Sequence, residues 1–386
     1  MKTWGLLVFA GIVTLVLGLV HWLIWNRLVR DALWPSPWGR NFTLVFIALG
    51  LTIPAAIITM RFAPRIVNGP LAWVGYSWMG FIFYFFVLVL TSDICRGLFG
   101  ILNALPQDPE RRQFLARAIS AGIVSLSGVI GIGGLIKAAR GFVIQRVRVP
   151  MEKFPASANG YSIAQITDLH VGPTLGVSYV EDVVREANAL NPDLIVITGD
   201  LVDGSVEQLR EHVEPLRRLS ARDGVFFVTG NHEYYSGAVE WIAHLESLGI
   251  RVLRNERVDI RGIFDLAGVD DISAERMQPG HGQDMVKATQ GRDTSRALVL
   301  LAHQPKSLKD AVLAGVDLQI SGHVHGGQIF PFNWLAHLDQ PYISGLHQKE
   351  KTWIYVSAGT GYWGPPMRVG TTAEIARIEL VANPTA

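Results

Sequence analysis

A single cysteine, Cys95, occurs among the 386 residues of this chain. One thiol can form no intrachain disulfide and no thiolate metal cluster, so a disulfide-stapled scaffold and a cysteine-rich zinc module are both excluded. Acidic side chains are scarce at the front. Residues 1–150 carry 14 Lys/Arg and 4 Asp/Glu, whereas residues 151–386 carry 20 and 29. The acidic second part has no clustered basic stripe to neutralise a phosphate backbone, which argues against nucleic acid as a partner. Internal repeats and low-complexity tracts are also missing.

Charge is absent altogether from four apolar runs, at about 4–25, 42–60, 71–92 and 118–136. Each approaches the roughly 20 residues that a bilayer-crossing helix needs. Trp22 and Trp25 close the first run and Arg27 and Arg30 follow it, while Arg61 and Arg65 follow the second. Such aromatic and cationic flanks suit the membrane interface. Residues 1–140 are therefore expected to form a four-helix transmembrane region of a multi-pass protein of the cell (inner) membrane. The spans contain no acid–base pair of the kind that an ion-coupled transporter would carry.

Four spans put the N-terminus and the second part on one side, and the basic residues do not choose the side. Lys2, Arg61, Arg65, Lys137, Arg140, Arg146 and Arg148 fall on one face of the membrane, and Arg27, Arg30, Arg40, Arg96, Arg111, Arg112 and Arg117 on the other. The stretch Glu110-Arg111-Arg112-Gln113-Phe114-Leu115 resembles a twin-arginine export signal. On that basis the second part is expected outside the cytoplasm.

Residues 141–156 read as a linker in which an edge strand begins, and 157–386 as one α/β domain. Short apolar runs at 162–167, 193–198, 225–229, 297–302, 317–320 and 353–357 alternate with helical stretches near 177–190, 206–219, 238–248 and 306–314. Strands apolar on both faces, separated by helices, imply sheets covered on both sides. The polar stretch 273–293 reads as a mobile surface loop.

Chemistry gathers where these strands end. Asp168 and His170 follow the first, Gly199-Asp200 the second, Gly230-Asn231-His232-Glu233 the third, His303 the fourth and Gly322-His323-Val324-His325-Gly326 the fifth. Loops at the carboxyl ends of α/β strands converge on one rim, and five of the 11 histidines lie there. Carboxylate, amide and imidazole donors without a thiolate suit Mn, Fe or Zn. They are too many for one ion and enough for two that share a ligand, the arrangement that clamps a phosphoryl group during displacement.

The order Asp-x-His, Gly-Asp, Gly-Asn-His-Glu, His, Gly-His-x-His, with 32 and 31 residues between the first three anchors, resembles the calcineurin-like metallophosphoesterases. The stretch Tyr355–Gly359 through Pro366-x-Arg368 is similar to their bacterial membrane-associated branch. The resemblance implies a four-layer α/β/β/α sandwich that hydrolyses a phosphoric ester by attack of metal-bound hydroxide. It implies two divalent or trivalent metal ions: Asp168, His170 and His325 for the first, Asn231, His303 and His323 for the second, Asp200 between them, and His232 as a catalytic residue that is not a ligand. The expected substrate is a phosphorylated small molecule or lipid, favoured by the membrane. A nucleotide-sugar lipid pyrophosphatase is the alternative enzyme, and a membrane sensor that only binds its ligand is the rival of another class. Asp203 reads equally as a residue orienting a ligand or as a helix N-terminal carboxylate. Glu233, Tyr234 and Tyr235 either touch substrate or cap a helix. Gln328 and Arg368 are candidate phosphate contacts, and Asp270-Asp271 reads as a solvated turn.

Overall fold

The computed structural model describes residues 3–59, 63–102 and 106–383, with the side chains of residues 3–10 and 13 left out. Lys2, Met60 and Arg61 lie outside the described residues. The chain divides into two compact units, Met1–Ile136 with Gly364–Met367, and Lys137–Trp363 with Arg368–Ala386.

The first unit contains α1 (Thr3–Trp25), a π-helical turn (Asn26–Arg30), α2 (Trp38–Thr59) and α3 (Arg65–Ile101), and α4 (Pro109–Ala139) begins in it. Four spans were expected. Among the described residues, three helices are long and apolar enough to cross a membrane: Trp38–Thr59, Arg65–Ile101 and Pro109–Ala139. The run at 4–25 is helical, but part of its side chains lies outside the described set. Packing here relies on small residues and aromatics. A Cβ on Gly75 would meet the Thr52 carbonyl oxygen at 2.8 Å, so glycine lets α2 and α3 approach closely. Ile24, Leu28, Ile82, Phe85, Val89 and Ile123 form the buried core of the unit. Helix α3 outruns the expected 71–92 and carries Asp93, which accepts from Arg27 Nε at 2.9 Å just beyond the apolar runs.

The second unit begins where a linker was expected. Phe142–Met151 is strand β1, an edge strand parallel to the last strand, with Phe142 opposite Ala373 and Met151 opposite Ala382. In chain order there follow β2 (Tyr161–Ile166), α5 (Val177–Ala189), β3 (Leu194–Thr198), α6 (Val206–Val213), β4 (Val225–Val228), α7 (Asn231–Ser236), α8 (Ala238–Ser247), β5 (Arg251–Val252), β6 (Glu256–Ile260) and β7 (Phe264–Gly268). After these come α9 (Ala274–Met277), α10 (Met285–Thr289), β8 (Ala297–Leu301), α11 (Leu308–Leu313), β9 (Leu318–Ser321), α12 (Phe332–Asp339), β10 (Gly345–Lys349), β11 (Thr352–Val356) and β12 (Ala373–Ala382). The expected loop at 273–293 thus holds two short helices, with Ala274, Met285 and Ala288 buried.

Two six-stranded sheets run in the orders β1-β12-β2-β3-β4-β5 and β10-β11-β9-β8-β7-β6. One cluster fills the space between them, with Ile163, Leu194, Val196 and Val228 from the first sheet and Leu266, Val299 and Ile320 from the second. Alternate residues of the same strands point outward. Ala164, Ile195, Ile197 and Phe227 meet Val183, Leu209, Trp241 and Leu245 of the helices, while Ala267, Leu298 and Leu300 meet Met285, Ala288 and Ala311. The central strands β2, β3, β8 and β9 are buried on both faces, which is why Leu194–Thr198 and Ala297–Leu301 are almost wholly apolar and why the architecture is four layers, α/β/β/α, whereas the peripheral strands β1, β6 and β10 keep polar, exposed residues.

Candidate metal centre

Strands β2, β3 and β4 are parallel neighbours, as are β8 and β9 in the other sheet. Their carboxyl ends therefore deliver Asp168, Asp200 and Asn231 from one sheet and His303 and His323 from the other. Gln165 ties the sheets together beneath the site, donating to the Ser321 carbonyl at 2.9 Å and to Thr198 Oγ1 at 2.8 Å.

Backbone conformation turns the side chains inward. Asp168, His170, Asp200, His323 and His325 all have positive φ, between 49° and 75°. Each such residue costs about 1–3 kcal/mol, a strain that clusters at functional sites. Hydrogen bonds help to hold it: His323 N–H donates to both oxygens of Asp168 at 2.9 and 3.0 Å, and His232 N–H donates to Asp200 Oδ1 at 2.8 Å. Glycines clear the approach. A Cβ on Gly230 would meet Asp200 Oδ1 at 2.2 Å, and one on Gly322 would meet Asp168 Oδ2 at 2.2 Å.

Three sets of donor atoms lie within 4.8 Å of one another: Asp168, His170 and His325; His170, Asp200 and His232; and Asp200, His303 and His323. Asp200 Oδ2 sits 3.1 Å from His303 Nε2 and 3.9 Å from both His170 Nε2 and His232 Nε2. His170 Nε2 and His325 Nε2 are 3.1 Å apart, and His303 Nε2 is 3.2 Å from His323 Nδ1. Asn231 is buried, and its Oδ1 finds no hydrogen-bond partner among the described residues. A buried acceptor without a donor costs about 1–3 kcal/mol, and a cation would relieve it. Imidazoles closing on one another, an orphaned amide oxygen and carboxylates free of lysine or arginine fit a metal pair.

Burial opposes charge on Asp200, yet the neighbouring imidazoles, His303 foremost, hold its carboxyl well below the usual range. Burial keeps His325 neutral, and His323 is pushed down to about 3 by burial and by His303. Neutral imidazole and ionised carboxylate are the forms that bind metals; burial pushes the Asp168 carboxyl up, and against burial Asp200 raises His303, so these two groups would release protons as a metal binds. Burial also works against the His232 imidazolium, but Asp200 and Asp203 outweigh it and raise its pKa to about 9.

The residues match the calcineurin-like phosphoesterase family model over 161–327. A zebrafish (Danio rerio) transmembrane protein with metallophosphoesterase domain is 35% identical over 95% of this chain and 87% of its own length. The chain belongs to this family. A Bos taurus protein of the same description is 42% identical over 72% of this chain, which spans 65% of that relative. An uncharacterised metallophosphoesterase of Campylobacter jejuni is 29% identical over 97% of this chain and 98% of its own length. The chain is thus a metal-dependent phosphoesterase, a hydrolase of the calcineurin-like type, with apolar helices long enough to span a membrane.

The structure decides between the readings open for Asp203 and Glu233 and departs from those of Arg368 and Asp270-Asp271. Asp203 is a shared acceptor, its Oδ1 lying 2.6 Å from His232 Nδ1 and 3.3 Å from His170 Nδ1. Glu233 does not face substrate: fully buried, it accepts from the N–H groups of Gly230 at 2.7 Å, Leu201 at 2.8 Å and Asp200 at 3.0 Å. Arg368 is only 1% exposed and is no phosphate contact. Its guanidinium donates to the carbonyls of Ala358 at 2.7 Å and His325 at 2.9 Å, and also to that of Gly361. Gln328 is engaged with the backbone of Trp363, at 2.8 and 2.9 Å. Asp270 and Asp271 are buried rather than solvated, Asp270 in a two-pronged pair with Arg254 at 2.7 and 3.0 Å and Asp271 accepting from Gln304. Of these roles only the Glu233 cap carried a local signal, the Gly-x-x-Glu spacing at the start of α7.

Proposed function

We propose that this chain hydrolyses a phosphoric ester at a pair of cations held by its strand-end loops. Asp168, His170 and His325 would hold one, Asn231, His303 and His323 the other, and Asp200 both. The sharing of Asp200 Oδ2 between the two halves of the cluster supports this reading most directly. The donor chemistry favours Mn, Fe or Zn. Two such cations neutralise phosphoryl oxygens and lower the pKa of a bound water.

His232 is the proposed proton donor to the leaving oxygen. Asp203 holds its Nδ1, which leaves Nε2 directed toward Asp200 and the shared site. The ring is neither sealed nor free, with its side chain 12% exposed. A general acid must keep its proton until the leaving oxygen needs it, and two flanking carboxylates favour that state.

The substrate class we propose is a lipid-linked or envelope phosphate ester, met outside the cytoplasm if Arg111-Arg112 acts as an export signal. Protease added to spheroplasts should then digest the catalytic unit, and replacement of both arginines by lysine should protect it. The hydrolase reading is tested with Asp200→Ala. Metal content by plasma mass spectrometry and turnover of bis(p-nitrophenyl) phosphate should fall together. A variant that keeps both metals, or full turnover, contradicts the shared role of Asp200.

A further inference from the structure

Helix α12 is amphipathic with its apolar side outward. No residue of Phe332–Asp339 is buried. Phe332, Trp334, Leu335 and Leu338 are exposed, Trp334 at 65% and Leu338 at 84%, and Phe330 just ahead of the helix is exposed as well. At 100° per residue these helical side chains share one arc of about 160°. The inner side holds Asn333 and Ala336, both half-buried, and Asn333 packs so closely that a Cβ on Gly327 would meet it at 2.5 Å. A surface helix in water turns its large apolar residues to the core and its polar ones outward. On this helix the large apolar residues face outward instead, in an arc interrupted at its C-terminal end by exposed Asp339, which pairs with Lys306.

We propose that α12 is a membrane-docking helix that lies in the lipid interface and brings the metal centre to a bilayer-borne substrate. Tryptophan, phenylalanine and leucine on one helical face are the residues that insert at the headgroup–acyl boundary. The chain itself supplies the bilayer. Helix α4, long and apolar enough to cross a membrane, ends at Ala139 and β1 begins at Phe142, so two residues of chain separate a candidate span from the catalytic unit. The link to chemistry is equally short. The turn His325–Gly327 carries a proposed metal ligand, and α12 starts five residues after it. A helix seated on lipid therefore presents the metal loops to a phosphate ester whose alcohol is anchored in the membrane. This substrate clause rests on the hydrolase reading, whereas the docking does not.

Full-length protein provides the test. In a Cys95→Ser background, Leu338→Cys carries a fluorophore, and the chain is reconstituted in phosphatidylcholine–phosphatidylglycerol vesicles containing dibrominated phosphatidylcholine. Strong quenching is expected at position 338 and little at Glu211→Cys on α6. No quenching at 338, or equal quenching at both sites, overturns the docking and leaves a second copy or a protein partner to cover this face. In the native-cysteine protein, Trp334→Ser with Leu338→Ser should keep turnover of soluble bis(p-nitrophenyl) phosphate and lose at least tenfold on a lipid phosphodiester in the vesicles. Equal loss on both substrates contradicts the delivery role. A wild type inert toward every ester sinks the hydrolase reading instead, while the quenching result still decides whether α12 docks.

Discussion

Replacing Asp203 by asparagine removes one negative charge and almost no volume. The carboxylate Oδ1 receives Nδ1 of His232 at 2.6 Å and of His170 at 3.3 Å. Both bonds orient the rings, which leaves Nε2 of His170 free to bind a metal and Nε2–H of imidazolium His232 facing the proposed metal pair. A bond to an ionised acceptor is about twice as strong as a neutral one, so the amide forfeits roughly 1–1.5 kcal/mol per bond. Two bonds amount to about 2–3 kcal/mol, or roughly 30- to 160-fold in kcat/KM. The loss should divide between weaker metal retention through His170 and slower turnover through His232. Metal titration of the apo-protein separates the first, and kcat at saturating metal the second. The alkaline limb of the pH–rate profile reports on His232 in particular. With Asp203 present its pKa is raised, so the proton is lost only at high pH; without that charge the limb should move to lower pH. Asp203→Glu should restore part of each effect. Asparagine variants with unaltered metal affinity, kcat and pH profile would refute Asp203 as a positioning residue.

Three other outcomes follow from the geometry. His232→Ala should retain both metals by mass spectrometry and lose about 10²–10⁴-fold in turnover; loss of a metal would make it a ligand. Arg368→Met leaves the carbonyls of His325, Ala358 and Gly361 without their buried donor, which should cost on the order of 3 kcal/mol or more and lower the thermal midpoint, with charge-preserving Arg368→Lys recovering part. Gly322→Ala drives a Cβ onto Asp168 Oδ2 and Thr167 Oγ1, each at 2.2 Å, and should weaken binding of one metal more than it destabilises the fold, read by metal titration beside thermal melting.

Sequence alone determined the inventory of candidate ligands, because each motif is local. A strand that is apolar on both faces is followed at once by the residue it delivers, so Asp168, Asp200, Asn231, His303 and His323 were legible as strand-end groups before any contact was known. The doubly covered sheets were legible for the same reason. Tertiary structure alone decided what depends on partners distant along the chain. The edge strand expected to begin in the 141–156 linker runs through all of 142–151 because β12, more than two hundred residues later, offers its edge. Arg368 changes from candidate phosphate contact to buried clamp because loops 325–328 and 358–361 close around it. Asp203 gains its role from two histidines, 33 residues before it and 29 after. The outward face of α12 shows the limit most clearly: periodicity reveals an apolar arc, but only packing says whether that arc meets a core or leaves it.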